Sequence, residues 1–200
     1  MSEPFIHPTA VVDDGAILEA GTKVWHFVHV RGSAVLRADV SLGRDVYVDA
    51  GVEIGEGTHV QNGVSIYSGV SVGRWCFIGP HAIFTNDNRP RAGNSRWTKT
   101  PTSLEDGCSI GAGSVIRCGV TIGAYAMVGA GTIVTRSIAP FQLVVGTPGV
   151  PTSLVCACGE TFFPLDAPRV GLVGACCREI MHPKSLALAQ EVLARLGPSA

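Results

Sequence analysis

The sequence predicts an all-β fold: a parallel β-helix wound from hexapeptide repeats, with one protruding loop and a small cysteine-containing, helical tail. Three observations lead there. Every sixth residue from Ile6, through Val12, Leu18 and Val24, to Ile78 and Phe84 is apolar, fourteen in succession. A chain that is 46% hydrophobic would give about half by chance. The position four residues on is small or β-branched from Ala10 to Ala82, and the position three residues on is repeatedly glycine, as at Gly15, Gly21, Gly51, Gly57, Gly63 and Gly69.

Each hexad then reads as a short strand and a corner. The aliphatic side chain fills the interior, the small residue lets the corner close, and three hexads complete a triangular coil. Coils stacked about 4.8 Å apart pair their backbone groups with the coils above and below, which removes lateral edges. The pattern breaks after Phe84 and resumes in shifted phase at Leu104, Ile110, Ile116, Ile122, Val128 and Val134, so twenty hexads predict six to seven coils. Beyond Val134 the repeat fades through SIAPFQLVVGTPGVP, which reads as a chain leaving the coil. The chain divides accordingly into a β-helix domain over 1–150, interrupted by loop 85–103, and an extension over 151–200.

Composition narrows the function classes. With 16% charged residues and 46% hydrophobic ones the chain is not disordered. A net charge of −1 gives no bulk attraction to nucleic acid or a membrane surface. The opening MSEPFIHPTA has no basic, apolar leader pattern, and no run approaches the roughly 18 apolar residues of a membrane span. Seven cysteines, an odd number without a secretory context, suit a reducing cytoplasm where thiols are buried or metal-bound.

The loop TNDNRPRAGNSRWTKTPTS sets Arg89, Arg91, Arg96 and Lys99 against Asp87 alone. Long loops in compact domains are usually functional, and this charge excess makes a candidate phosphate clamp; the alternative is a solvated surface loop. In the tail, Cys156, Cys158, Cys176 and Cys177 are candidate zinc ligands, although C-x-C and C-C differ from the usual C-x₂-C knuckles, and the alternative is a set of free thiols. Leu186, Ala189, Val192, Leu193 and Leu196 share one face of a helix predicted from Lys184 to Leu196. Cys76 and Cys108 fall on inward positions and belong to the core.

Three segments, VWHFVHV (24–30), VQNGVSIYSGV (60–70) and FIGPHAIFTNDNRPRA (77–92), together resemble the nucleotide-sugar N-acyltransferases of the left-handed β-helix superfamily. The resemblance covers about residues 5–150. It is to enzymes that acetylate the 3-amino group of UDP-2-acetamido-3-amino uronic acids or of dTDP-3-amino-3,6-dideoxyhexoses. It implies a left-handed coil, against the usual right-handed crossover. It also implies a homotrimer, with acetyl-CoA or another acyl-CoA as co-substrate and the nucleotide sugar held between neighbouring subunits. A CACG after the coil recurs in such enzymes, while ACCR replaces its expected second half.

Acyl transfer to an amine needs a neutral amine, a donor for the developing oxyanion and alignment. His26, Arg44, Asn62 and Pro80 form one column, each eighteen residues from the next. Asn62 stands where the wider superfamily often has a catalytic histidine, and an amide is no base. The resemblance places Asn86 at the sugar amine and lets the leaving thiolate take the proton. His59 is the remaining candidate base. His26, His29, Asn62, Tyr67, Asp87, Arg89 and Arg91 are candidate substrate-binding residues. Ala112 and Ala130, eighteen apart, leave a groove for a pantetheine arm, with Arg117 or Arg136 for the CoA phosphates. Two other classes remain open: a γ-type carbonic anhydrase, with three histidines on an interfacial zinc, and a non-catalytic β-helix assembly protein.

Overall fold

The computed structural model describes residues 2–197. Two-residue strands recur with the hexads from Phe5–Ile6 to Ile133–Val134. Each pairs in parallel with the strand one coil on, as in Phe5↔Lys23 and His59↔Phe77. Three sheets result. Face 1 contains Lys23–Val24 and His59–Val60, face 2 contains His29–Val30 and Ile83–Phe84, and face 3 contains Val35–Leu36 and Val70–Val72. Corner 1 joins faces 1 and 2, corner 2 joins faces 2 and 3, and corner 3 returns to face 1.

The second residue of each strand points inward. From Val24 to Val134 these aliphatics are buried, together with the small residues before the strands, such as Val28, Ala34 and Val40. The polar members of the small set satisfy themselves: the Thr58 hydroxyl donates to Gly73 O at 2.8 Å and Ser114 to Gly129 O at 2.9 Å, as buried hydroxyls must. Among the described residues no layer lies beneath the first coil, and its inward Ile6 is exposed; Phe5, Val11 and Ile17 are exposed as outward-pointing residues.

Two expectations about length need correction. Face 1 has eight parallel rungs, not six or seven, because Gln142–Val145 adds one more: Met127 pairs with Leu143 and Val128 with Val144. The chain therefore stays in the coil past Val134. Its last turn is two residues shorter than the rest, which takes Ile138 and Phe141 out of the six-residue phase while still burying both. The chain then folds back, Val150–Val155 pairing antiparallel with that rung and Phe162–Phe163 with Val150–Val155.

The inserted loop leaves the stack in register. Val72 pairs with Leu104 and Ile83 with Val115, each thirty-two residues on rather than eighteen, so fourteen extra residues emerge at corner 2 without displacing a rung.

The tail holds a 3₁₀ turn, Arg169–Val173, and helices α1, Ala175–Ile180, and α2, Pro183–Leu196. Helix α2 begins one residue before the expected start, with proline in its first turn, where a missing N–H costs nothing. Leu188, Ala189 and Val192 are buried in a second cluster with Ala124, Tyr125 and Phe141 of corner 3. Tyr125 Oη donates to Ser185 O at 2.8 Å, His182 stacks on Trp75 at 4.7 Å, and Lys184 pairs with Glu56. Among the described residues no helix is long and apolar enough to cross a membrane.

Candidate active site

Corner 1 carries the predicted polar column. The backbone links it coil to coil: Asp45 N donates to His26 O at 3.0 Å, Gly63 N to Arg44 O at 2.9 Å and His81 N to Asn62 O at 2.9 Å. Above the insertion the same column continues as Ala112 and Ala130, through Gly113 N to Pro80 O and Gly131 N to Ala112 O. The polar and the small residues, expected as separate groups, therefore share one edge. Asn62 Oδ1 accepts the Arg44 N–H at 2.9 Å, which fixes the amide. His26 stacks on His7 at 3.5 Å between ring centroids, so His7 belongs to this corner. Desolvation and the adjacent His26 hold the His7 imidazole below its ordinary value. A cleft of about 300 Å³ here is lined by Trp25, His26, Arg44, Gln61 and Asn62.

Corner 2 carries a second column, Asp13, Arg31, Asp49 and Tyr67, again eighteen residues apart, of which sequence reasoning singled out only Tyr67. Asp13 accepts from Arg31 Nε at 2.9 Å and lies 3.0 Å from His29 Nε2. The bonds from His29 and Arg31 outweigh its partial desolvation and hold its carboxyl below the usual range. Tyr47 Oη donates to Asp49 Oδ1 at 3.1 Å, and Ser68 N–H donates to Asp49 Oδ2 at 3.1 Å. Burial pushes Asp49 upward, but these donors and Arg31 win and keep it ionised below its ordinary value. The rings of His29, Tyr47 and Tyr67 follow one another at 5.7 and 6.0 Å, a ladder rising toward the loop.

The loop neck closes where Thr100 N–H donates to Asn86 O at 3.0 Å. Asn86 Nδ2 reaches Ser68 O at 3.4 Å, and Arg117 Nε donates to Asn88 Oδ1 at 3.2 Å. Asp87 Oδ1 accepts the Arg89 N–H at 2.6 Å, an Asx turn that starts the loop's bend. Asp87, Asn88, Arg89, Arg91 and Arg96 line a cleft of about 650 Å³. On the coil, Arg31 pairs with Asp13, Arg37 with Glu19 and Glu53, Arg44 with Asp45 and Arg74 with Asp106, while Arg117 donates to Asn88. Among the described residues no carboxylate lies within ion-pair reach of Arg89, Arg91 or Arg96. Three guanidinium groups without carboxylate partners line this one cleft, Arg91 also donating to Pro90 O at 2.8 Å, an arrangement with the chemistry to receive an anion.

One chain gathers only part of the predicted site. Tyr67, Asn86, Asp87, Arg89, Arg91, Arg117 and Arg136 belong to corner 2 and its loop, and His29 stands beside them on face 2. His26, Asn62, Ala112 and Ala130 lie on corner 1, across face 2. The four residues expected around CoA are thus split, because Ala112 and Ala130 precede the face 2 strands Val115–Ile116 and Ile133–Val134, whereas Arg117 and Arg136 follow them. His59 is exposed on face 1 between Ser41 and Phe77, away from the loop. His81 lies on corner 1, and among the described residues no three histidines converge. Among the described residues the one group with metal-holding geometry is Cys156, Cys158, Cys176 and Cys177.

Residues 51–86 and 101–136 match the bacterial transferase hexapeptide family (six repeats). The chain is 45% identical over 69 residues to dTDP-3-amino-3,6-dideoxy-alpha-D-galactopyranose 3-N-acetyltransferase of Aneurinibacillus thermoaerophilus, covering 34% of this chain and 36% of that protein. It spans roughly a quarter to two fifths of the length of the curated relatives it matches. A variant of GDP-perosamine N-acetyl transferase from Caulobacter crescentus, solved with CoA and GDP-perosamine, is similar in structure: TM-score 0.52, 24% identity, covering 76% of this chain and 57% of that one. So is the polySia specific acetyltransferase NeuO: TM-score 0.56, 19% identity, covering 72% and 74%. These two likenesses establish the shared fold.

Proposed function

From the premise of a hexapeptide-repeat solenoid of the bacterial transferase type, we propose that the protein transfers an acetyl group from acetyl-CoA to the 3-amino group of a UDP- or dTDP-linked amino sugar. The observation that carries this reading is the cleft beside Asn86 lined by Arg89, Arg91 and Arg96, which have no carboxylate partners. A nucleoside diphosphate balances the positive charge that the three arginines leave over against the single Asp87 of this cleft. The sequence likeness to a dTDP-3-amino-sugar acetyltransferase supports the same substrate class.

In this reading residues 1–150 are the catalytic body and 151–200 an extension. The working unit is a homotrimer, in which corner 1 of one copy meets corner 2 of the next. Ala112 and Ala130 then flank the pantetheine arm, and Arg117 or Arg136 meets the CoA phosphates. Asn86 orients the amine, and Asn62, His26, His29 and Tyr67 contact the sugar and nucleotide. The amine nitrogen attacks the thioester carbonyl and forms the amide bond. The C–S bond breaks, and the departing thiolate takes the amine proton, leaving His59 without a chemical role. A sugar amine flanked by electron-withdrawing oxygens is more acidic when protonated than an ordinary alkylamine, so a neutral fraction is available without an enzymic base. A cytoplasmic setting fits the seven free thiols.

The test is a thiol-release assay with acetyl-CoA and a panel of UDP- and dTDP-3-amino sugars. Turnover with one of them, and mass-identified N-acetyl product, is expected. Absence of turnover together with absence of CoA binding points to an assembly protein. Carbon dioxide hydration with metal bound at histidines points to the carbonic anhydrase class.

A further inference from the structure

We propose that Cys156, Cys158, Cys176 and Cys177 bind one zinc ion as four thiolates, and that this ion fastens the C-terminal helices to corner 3. The inference is independent of the transfer reaction. The four Sγ atoms all lie within 4.8 Å of one another. Around the ring the separations are 3.3 Å from Cys156 to Cys158, 3.5 Å from Cys158 to Cys177, 4.0 Å from Cys177 to Cys176 and 3.9 Å from Cys176 to Cys156. A tetrahedral site with Zn–S bonds near 2.3 Å sets its sulfurs about 3.8 Å apart. The cluster is therefore already close to the size of the cage, despite spacings that differ from the common knuckle.

Local structure explains how C-x-C and C-C reach that geometry. Cys156 and Cys158 bracket a tight turn after Val150–Val155, where Gly159 N–H donates to Cys156 O at 2.9 Å and Gly159 takes φ +86°. The turn brings both side chains to one side. Cys176 and Cys177 enter from the first turn of α1. Thr161 N–H points at Cys156 Sγ from 3.2 Å, the kind of backbone donor that steadies a thiolate. Four neutral thiols facing one another would have little to gain, since S–H is a weak donor and sulfur a weak acceptor.

The tail also needs such a centre. Beyond Val155 it has one two-residue strand, a 3₁₀ turn and two helices, of six and fourteen residues. Segments of this size seldom build a sufficient core without a staple. Cys156 and Cys177 sit at the middle of the second cluster, 1% and 0% exposed, beside Leu154, Leu172 and Ala189. A metal there adds its binding free energy to folding, and α2 carries the result to Trp75, Tyr125 and Glu56 on corner 3.

The experiment uses the full chain purified without chelator. Elemental analysis should find about one zinc per chain, and cobalt-substituted protein should show the strong visible absorption of tetrahedral tetrathiolate Co(II). Cys158→Ser and Cys176→Ser should lose most of the metal, while Cys118→Ala, on corner 2, should keep it. Stripping zinc under mild denaturation should lower the helical circular dichroism signal, and restoring zinc should recover it. Wild-type metal content and the cobalt spectrum decide the matter even if the serine variants do not fold. A metal-free wild-type chain that takes up no cobalt, or whose intact mass is lighter by the hydrogens lost in disulfide formation among these four residues, overturns the proposal.

Discussion

Lys99 Nζ lies 2.8 Å from Ser68 Oγ, tying the returning limb of the loop to corner 2 beside its own point of exit. The lysine stem crosses Gly69, where an added Cβ would sit 2.8 Å from Lys99 Cδ, and Gly69 itself takes φ +99°. The absence of a side chain at Gly69 lets the loop lie down.

Gly69→Ala should therefore act twice. The left-handed backbone costs a residue with a Cβ about 1–2 kcal/mol, a fall of several degrees in Tm, and the stem of Lys99 must lift. Lys99→Met should raise KM for the nucleotide sugar with Tm nearly unchanged. Equal Tm losses in the two variants would show that Lys99 serves stability rather than loop placement.

Arg91→Ala removes one guanidinium without a carboxylate partner from the cleft. Hydrogen bonds to charged groups contribute about 1.5–3 kcal/mol, so KM for the nucleotide sugar should rise roughly ten- to a hundredfold while KM for acetyl-CoA changes little. Arg89→Ala should behave alike. Matching shifts in both KM values would remove the diphosphate from this cleft.

No single histidine should be indispensable. His26, His29, His59 and His81, replaced one at a time by Asn, should each keep kcat within about tenfold, whereas loss of a general base typically costs 10²–10⁴-fold. Asn86→Ala should lower kcat more than any of them. A thousandfold loss at one histidine with KM unchanged would identify that residue as the base.

Tyr125 gives the pH dependence. Burial pushes its hydroxyl up to about 12, above the unfolded value near 10. The folded state then holds the proton more tightly, so this contribution to stability is full below pH 10 and is lost as pH rises from about 10 to 12. Tm should fall over that interval, and Tyr125→Phe should flatten the fall while losing the bond to Ser185 O. An unchanged alkaline slope in the variant would assign the fall to other groups.

A site shared between copies can be rebuilt from broken parts. Chains carrying His26→Ala with Asn62→Ala are damaged at corner 1, and chains carrying Asn86→Ala with Arg91→Ala at corner 2. Mixed as trimers in equal amounts, they should regain about a quarter of intact sites by random assortment. No recovery from verified mixed trimers would place the whole site on one chain.

The solenoid was legible in the sequence because its signal is repeated: a buried aliphatic every six residues tolerates many local exceptions. The column of His26, Arg44 and Asn62 was legible for the same reason. Asp13, Arg31 and Asp49 have the same spacing and went unread, since alternating charges look like a solvated face until their bonds to His29, Tyr47 and Ser68 are visible. Ala112 and Ala130 were found as a pair, but their alignment with Asn62 was hidden by the loop's fourteen extra residues. The last rung was hidden by a change of two. The convergence of four sulfurs depends on a turn and a helix start, which spacing alone does not determine.

The register across the insertion also has a thermodynamic meaning. Closing a thirty-two-residue coil instead of an eighteen-residue one costs only about 0.5 kcal/mol of chain entropy, because the penalty grows with the logarithm of length. Rungs above and below interact as they would without the loop, each with its nearest neighbours. The inserted loop is thus energetically almost a passenger. It can be lengthened, shortened or exchanged while the stack beneath it keeps its stability, so change in the loop and upkeep of a sound scaffold fall on separate residues.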